Sequence, residues 1–338
     1  LADGRLRVVG FEPVAVDEPG ADEKFISWLL RQRQLTIRDG EIAWVDRRDG
    51  FERAQLSEVQ FDLRNRGERH KAGLRARFPE ALCRECSIAL DLTGNPLADD
   101  GWSGEIYLRA AQLDVDALPR VARERLPAAL RGRFDVEVWS DWEDGAVAAV
   151  RGNLAVAKLQ LPLRDVAQPL RINAVQGSVD WRRDTDGWSL DLKPLTLDLH
   201  GTPWSVGRLR LTRDEDEHRL RVRHVALAEL SGLVADLQGE HPLLKHWTQM
   251  NPRGALDGLD LELRGPLTAP QDYRMRADLA GVTIEAHAAI PGARNVSGKL
   301  DLRRDSGEFK IDTHEFALSL PRVFRGPLHG RRLQGIVA

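Results

Sequence analysis

The stretch LTIRDGEIAWVD, Leu35–Asp46, decides the fold class. Leu35 and Ile37 point one way, Thr36 and Arg38 the other. Beyond Asp39-Gly40, Ile42 and Trp44 share a side opposite Glu41 and Ala43. Apolar alternation with a period of two belongs to a strand with one dry and one wet face. An Asp-Gly pair between two such arms reads as the turn of a β-hairpin.

The same pattern runs outward through most of the chain. Val59, Phe61 and Leu63 align in VQFDL, then Ala72, Leu74, Ala76 and Phe78 after the polar RNRGERH. Ile88, Leu90 and Leu92 follow, then Ile106, Leu108 and Ala110, then Phe134, Val136, Val138 and Trp142. Further on come Val179 and Trp181; Trp188, Leu190 and Leu192; Leu195, Leu197 and Leu199; and Leu209 and Leu211. Leu259, Leu261 and Leu263 precede Val282, Ile284, Ala286, Ala288 and Ile290, and the runs KLDL and FALSL, with Leu300, Phe316 and Leu318, close the series. Turn chemistry (RDG, WEDG, RDTDG, RDEDEH, RDSGE) bounds the runs. Short connections between successive strands imply an antiparallel meander, because a parallel crossover needs a dozen residues or more. The expected fold is mainly β: a long antiparallel, curled, repeating sheet of one-faced strands with a few short helices.

Helical spacing is confined to residues 23–33, 117–130 and 228–250. The second and third of these stretches precede similar strand openings, Arg131-Gly132-Arg133-Phe134-Asp135 and Arg253-Gly254-Ala255-Leu256-Asp257. This reads as a degenerate internal repeat of strand, helix, Arg-Gly and strand. One continuous segment over 1–338 is expected, with approximate units at 24–110, 111–224 and 225–338. The chain starts at Leu1 and ends in the strand-like LQGIVA, so a piece of a longer protein is expected.

With 49 basic and 52 acidic residues among 338, the net charge is −3, and nucleic acid is not an expected partner. No run of about 18 apolar residues is present to span a membrane. Cys83 and Cys86, in CRECSI, lack the further ligands of a zinc site and the following helix of a redox motif; they read as a loop pair, free or bridged. Asp184–Gly187 resembles the start of a calcium loop, but the twelfth position is Leu195 where a bidentate Glu is needed. His241 and His246 are split by Pro242 and do not share a helix face. Asn295-Val296-Ser297 matches a glycosylation acceptor, a match common by chance. Trp44, Trp181 and Trp188 lie in phase with Leu and Val on strands, which suits a core or groove lining better than sugar stacking. No phosphate loop, zinc-protease helix or nucleophile elbow is found, so neither a catalytic residue, a metal nor a cofactor is expected.

Trp28–Pro79, from WLLRQRQLTIRDG to RARFP, resembles the first β region of the YhdP group of AsmA-like proteins. LDVDALPRVARERLPAALRGRFDVEVWSDWEDG and HPLLKHWTQMNPRGALDGLDLELRG are similar to its helix-then-strand units, and FALSLPRVFRGPL to its recurrent strand exit. The resemblance implies a repeating β-groove protein of the Gram-negative envelope, lying in the periplasm and anchored in the inner membrane by parts outside this sequence. It also implies phospholipid as cargo between inner and outer membrane, and envelope proteins as partners. The residues available to line such a groove are Leu35, Ile37, Ile42, Trp44, Val59, Phe61, Leu63, Leu74, Ile88, Leu90, Leu92, Ile106, Leu108, Phe134, Val136, Val138, Val179, Trp181, Leu190, Leu195, Leu197, Leu199, Leu209, Leu261, Leu263, Val282, Ile284, Leu300, Phe316 and Leu318. The alternative is a closed β-sandwich or solenoid scaffold of the envelope, its dry faces packed on each other, binding a protein or glycan outside.

Overall fold

The computed structural model describes residues 5–6, 14–15, 21–46, 52–118, 131–161, 170–198, 201, 203–236, 247, 249–265, 270–287, 290–321 and 324–337. Among these, two helices occur, α1 (Ala21–Arg31) and α2 (Leu227–Asp236), and one 3₁₀ turn, Val115–Ala117. A small ladder joins β1 (Arg5–Leu6) to β2 (Val14–Ala15). The remaining strands are β3 (Gln34–Asp46), β4 (Glu52–Arg66), β5 (Arg69–Arg77), β6 (Glu85–Thr93), β7 (Ser103–Asp114), β8 (Arg131–Glu143), β9 (Ala146–Leu161) and β10 (Leu170–Arg183). They continue as β11 (Gly187–Asp198), β12 (Pro203–Asp214), β13 (Glu217–Ala226), β14 (Arg253–Arg264), β15 (Asp272–Ile284), β16 (Gly292–Arg303), β17 (Gly307–Ser319) and β18 (Leu328–Val337). β3 to β18 form one antiparallel sheet whose strand order is the chain order, with β3 and β18 at its ends. The chain divides into two compact units, 1–159 and 160–338. Among the described residues of each unit, strands touch the strands beside them and no second sheet packs on their faces. The open, curled antiparallel sheet is the expected fold, and the alternative of two sheets packed face to face does not describe either unit.

The stretch Leu35–Asp46 is not a hairpin. Gln34–Asp46 is one continuous strand, with Leu35 opposite Leu63, Ile37 opposite Phe61, Ile42 opposite Leu56 and Trp44 opposite Ala54. Asp39, at φ 51°, and Gly40 form a β-bulge instead of a turn. The bulge inserts one extra residue, so the apolar phase passes from odd to even while staying on one face.

The same device recurs along the chain. Apolar positions slip by three at Leu56/Val59, Ala110/Leu113, Val156/Leu159, Leu256/Leu259, Leu279/Val282 and Ala293/Val296, and a buried threonine takes the first place in Thr313/Phe316. The residue just before the second member has positive φ each time: Glu58, Gln112, Lys158, Gly258, Gly281, Asn295 and Glu315. In β11, cis Lys193-Pro194 stands at the same place, between Leu192 and Leu195. This also joins the two runs read as Trp188–Leu192 and Leu195–Leu199 into one strand as far as Asp198. Each bulge bends its strand and increases the local twist, the means by which an antiparallel sheet curls. Asn295 is occupied here: its Nδ2 donates to the carbonyls of His314 and Glu315 at 3.1 and 2.8 Å, tying the β16 bulge to that of β17.

The helical stretch expected at 117–130 falls largely outside the described residues. Of the one expected at 228–250, α2 covers the start and residues 247, 249 and 250 are helical, with 237–246 and 248 outside the described residues. The Arg-Gly repeat has a physical basis. Gly132 and Gly254 have φ 127° and 98°, and a Cβ would lie 2.8 Å from the Ala157 carbonyl and 2.6 Å from the Gly281 carbonyl, respectively. Both glycines let a strand start pass over the bulge of the next strand. The aspartates three residues on also correspond: Asp135 accepts from the Gln112 backbone N–H at 2.7 Å, and Asp257 lies 2.6 Å from His224 Nδ1.

These contacts separate two kinds of glycine. Gly258 has φ 60°, and a Cβ added there would meet no described atom within 4 Å. Gly258→Ala is therefore expected to cost only the left-handed backbone penalty of about 1–2 kcal/mol. Gly254→Ala drives a methyl into backbone oxygens and is expected to cost clearly more. Urea unfolding midpoints at unchanged slope check the order.

Candidate functional site

Residues directly opposite in an antiparallel sheet share a face, so the register fixes which side chains line up. In the first unit, one row runs Ile37, Phe61, Leu74, Ile88, Leu108, Val138 across β3 to β8. A second runs Leu35, Leu63, Ala72, Leu90, Ile106, and a third joins Ala76, Cys86, Ala110 and Val136. In the second unit, Trp181, Leu190, Leu211, Leu220, Leu261, Met275 and Leu302 form a row across β10 to β16. Val179, Leu192, Leu209, Val222 and Leu259 form the row beside it.

Two of these rows contain no buried residue. Every member of the Ile37 and Trp181 rows is half-buried or exposed, Ile88 at 39%. Seven strands at about 4.8 Å make the second stripe on the order of 30 Å long. Among the described residues no second layer covers it, and a contiguous apolar stripe of that length is uncommon on a monomer's surface. Closer packing lies near the bulges, where Val59, Ala76, Ala110, Leu195, Val206, Val225 and Ala317 are 6% exposed or less.

The structure thus places Leu35, Ile37, Phe61, Leu74, Ile88, Leu90, Ile106, Leu108 and Val138 together in one unit. Phe134, opposite Leu113, and Val136 extend that face toward the bulges, as does Ile42. The other unit brings together Val179, Trp181, Leu190, Leu209, Leu261 and Leu263, with Leu197 opposite Val175 and Trp204. Val282 pairs with Val296, Ile284 with Ala293, Leu300 with Phe309, Phe316 with Gly330 and Leu318 with Leu328. Val59, Leu63, Leu92 and Leu195 are buried at 4% or less and form the packed base, not an accessible lining. Leu199 and the side chain of Trp44 lie outside the described residues. Leu220, Met275 and Leu302 join the rows without being named from the sequence, and Leu211 was named in an alternating run but not among the lining residues; alternation with arginine in RLRLT, HRLRV and YRMRA was the available signal.

In the first unit the turn end of this face is closed. Asn65 and His70 sit opposite each other, 9% and 7% exposed. Asn65 Nδ2 donates to the carbonyls of Leu29, Leu30 and Gln32 at 2.9, 3.1 and 2.6 Å, satisfying the last turn of α1. His70 Nδ1 lies 2.9 Å from Asn65 Oδ1. Trp102 stacks on Trp142, with ring centroids 5.1 Å apart. Near the opposite end, Cys83 and Cys86 are joined in a disulfide, packed with Ala110, Phe78, Leu82, Leu113 and Val136. The sequence had left this pair open between free and bridged.

The other face is charged and paired across strands. Asp91 takes Arg69 and Lys71 at 2.8 and 2.7 Å. The hydrogen bonds from Arg69 and then Lys71 hold its carboxyl well below the usual range. Asp260 accepts from Arg219 at 2.7 Å and from Arg276 at 3.2 Å, while Arg276 also reaches Glu262 at 3.0 Å and Arg274 reaches Asp301 at 3.0 Å. The Arg219 hydrogen bond, outweighing desolvation, lowers the Asp260 carboxyl too. A cleft of about 560 Å³ opens on this face where β3 and β4 bulge, bordered by Asp39, Glu58, Arg75, Arg77 and Arg84. Its charges include an Arg77–Glu58 pair at 3.3 Å.

A carboxylate lowered in the folded state stabilises fully above its unfolded value of about 4, and the stabilisation is lost as pH falls through the folded value. Asp260→Asn is therefore expected to lower stability at neutral pH by about 1–3 kcal/mol and to flatten the loss of stability below roughly pH 4. Unfolding midpoints measured across that pH range check both.

Among the described residues no helix is long and apolar enough to cross a membrane. The model of one protein family, described as YhdP protein, matches residues 5–338. No curated protein and no solved structure matches the chain. The match covers nearly the whole sequence, and the chain belongs to the YhdP family.

Proposed function

We propose that this member of the YhdP family is a periplasmic segment that carries phospholipid acyl chains along the apolar side of its sheet, between the inner and outer membranes of a Gram-negative envelope. The observation that carries the reading is the uncovered apolar stripe in each unit, with no protein layer over it among the described residues. Moving a two-chain lipid through water is disfavoured by on the order of 20 kcal/mol, at about 0.8 kcal/mol per buried CH₂. A stripe of leucine-sized side chains offsets that cost at each step. Apolar contact is non-directional, so a lipid can slide from row to row without any one residue holding it.

Other features support the same reading. The paired charges of the opposite face keep the sheet hydrated on its outside. The Cys83–Cys86 disulfide suits an oxidising compartment such as the periplasm. No chemistry at a fixed point is needed, and the reading assigns the protein no catalytic step. Envelope protein partners and membrane contacts belong to this proposal as parts of a longer bridge.

A charge on the stripe should separate transport from folding. Ile88→Asp and Leu220→Asp place a carboxylate at half-exposed or exposed positions, where it stays hydrated when lipid is absent. Both are expected to fold with near-normal circular dichroism and to lose most of the phospholipid found by native mass spectrometry of the purified protein. Val206→Asp, at a site 2% exposed, is expected to unfold, because an unpaired buried charge costs several kcal/mol. A wild-type protein that carries no phospholipid, or stripe variants that retain it in full, would end the proposal.

A further inference from the structure

In the second unit the apolar face does not end as it does in the first. One step beyond the Trp181 row, toward the tight turns, the register places Arg183 opposite Trp188, Trp188 opposite Arg213, and Arg213 opposite His218. His218 stands opposite Leu263, and Leu263 opposite Tyr273. No bulge separates this row from the leucines, so Arg183, Trp188, Arg213, His218 and Tyr273 share the apolar face. Arg183 and Arg213 are exposed, and Tyr273 is 37% exposed.

These cations differ from those of the charged face. Arg219, Arg274 and Arg276 are each bonded to carboxylates. Among the described residues Arg183 and Arg213 meet no carboxylate; the Arg213 Nε donates only to the Glu215 carbonyl at 3.2 Å. Asp214 and Glu217, next to the row in sequence, stand opposite each other on the other face of the sheet, and Asp184, Asp186, Glu215 and Asp216 belong to exposed turns beyond the row. From the stripe outward the face therefore reads leucine, then arginine with aromatic side chains. A diacyl phospholipid reads acyl chain, then phosphate, in the same order.

Resting on the acyl-chain reading above, we infer that the Arg183–Trp188–Arg213–His218–Tyr273 row is a headgroup rail that takes the phosphate of a diacyl phospholipid while its chains lie on the leucine rows. Guanidinium groups bind phosphate oxygens in a planar two-pronged geometry. Trp and Tyr suit the boundary, where one end of the ring is apolar and the other wet. Strands lie about 4.8 Å apart, so Arg183 and Arg213, two strands apart across Trp188, stand about 10 Å from each other, close enough for two long side chains to hand a phosphate between them as its chains move between rows.

The test compares a phospholipid with diacylglycerol of the same acyl chains, which lacks only the phosphate headgroup. Each is offered to the purified protein in mixed vesicles, and protein-bound lipid is measured after separation. The wild type is expected to retain the phospholipid at least tenfold better. Arg183→Ala/Arg213→Ala is expected to bring the phospholipid down to the diacylglycerol level, leaving diacylglycerol retention and the thermal midpoint unchanged, and Arg183→Lys/Arg213→Lys to restore most of the difference. Equal retention of the two lipids by the wild type, or a double alanine variant that still prefers the phospholipid, overturns the rail while leaving the acyl-chain reading intact. Failure of the wild type to retain either lipid overturns both.

Discussion

Everything in this sheet depends on keeping apolar side chains on one face while each strand bends. A period-two strand can hold one face only while it stays regular, and a regular strand of twelve or more residues does not curl sharply. Here the conflict is resolved by one extra residue per bulged strand, at left-handed or glycine positions such as Asp39, Glu58, Gln112, Gly258, Gly281 and Asn295. The bulge bends the strand, and the slip of three in the apolar pattern returns the next leucine or valine to the same side. The bulges are also linked to one another: Asn295 bonds both backbone carbonyls at the β17 bulge, and Gly254 passes close over the Gly281 carbonyl.

This arrangement makes an unusual division of labour. Most domains are held by a core closed between two layers. Here each strand is held by the strands beside it, through backbone ladders and cross-strand pairs worth roughly 0.2–1 kcal/mol each. The most deeply buried residues are mostly small, Val59, Ala76, Ala110 and Val206 among them, and they lie near the bend. The charged face adds arginine–carboxylate networks around Asp91, Asp191 and Asp260. The stripe itself contributes little packing, so it remains free to bind something else. A ligand on it would add to the stability of the folded state by mass action.

The ends of the face carry what distinction there is. In the first unit Asn65, His70, α1 and the Trp102–Trp142 stack close the turn end with satisfied polar groups and aromatic surface. In the second unit the equivalent row is cationic and aromatic. On the proposed function, selectivity would arise at such borders, where the cargo's polar part must also find a place.

The amino-acid sequence by itself determined the class of this protein. Alternation at Leu35, Ile37, Phe61, Leu90 or Leu261 needs no partner to be read, because a side chain's face follows from the parity of its position. The real turns were legible too: WEDG, RDTDG and RDSGE each reverse the chain. Tertiary structure alone decided that Asp39-Gly40 is a bulge and not a turn, since the same dipeptide serves both and only the pairing of Ile37 with Phe61 and Ile42 with Leu56 separates them. It also decided that no second sheet packs on the dry faces among the described residues, because parity says which side is apolar and nothing about what packs on it. The roles of Asn65 as the helix clamp and of Arg183 and Arg213 as neighbours on the apolar side were equally out of reach. Each depends on register between strands, and register is set by all the bulges together, not by any one stretch of chain.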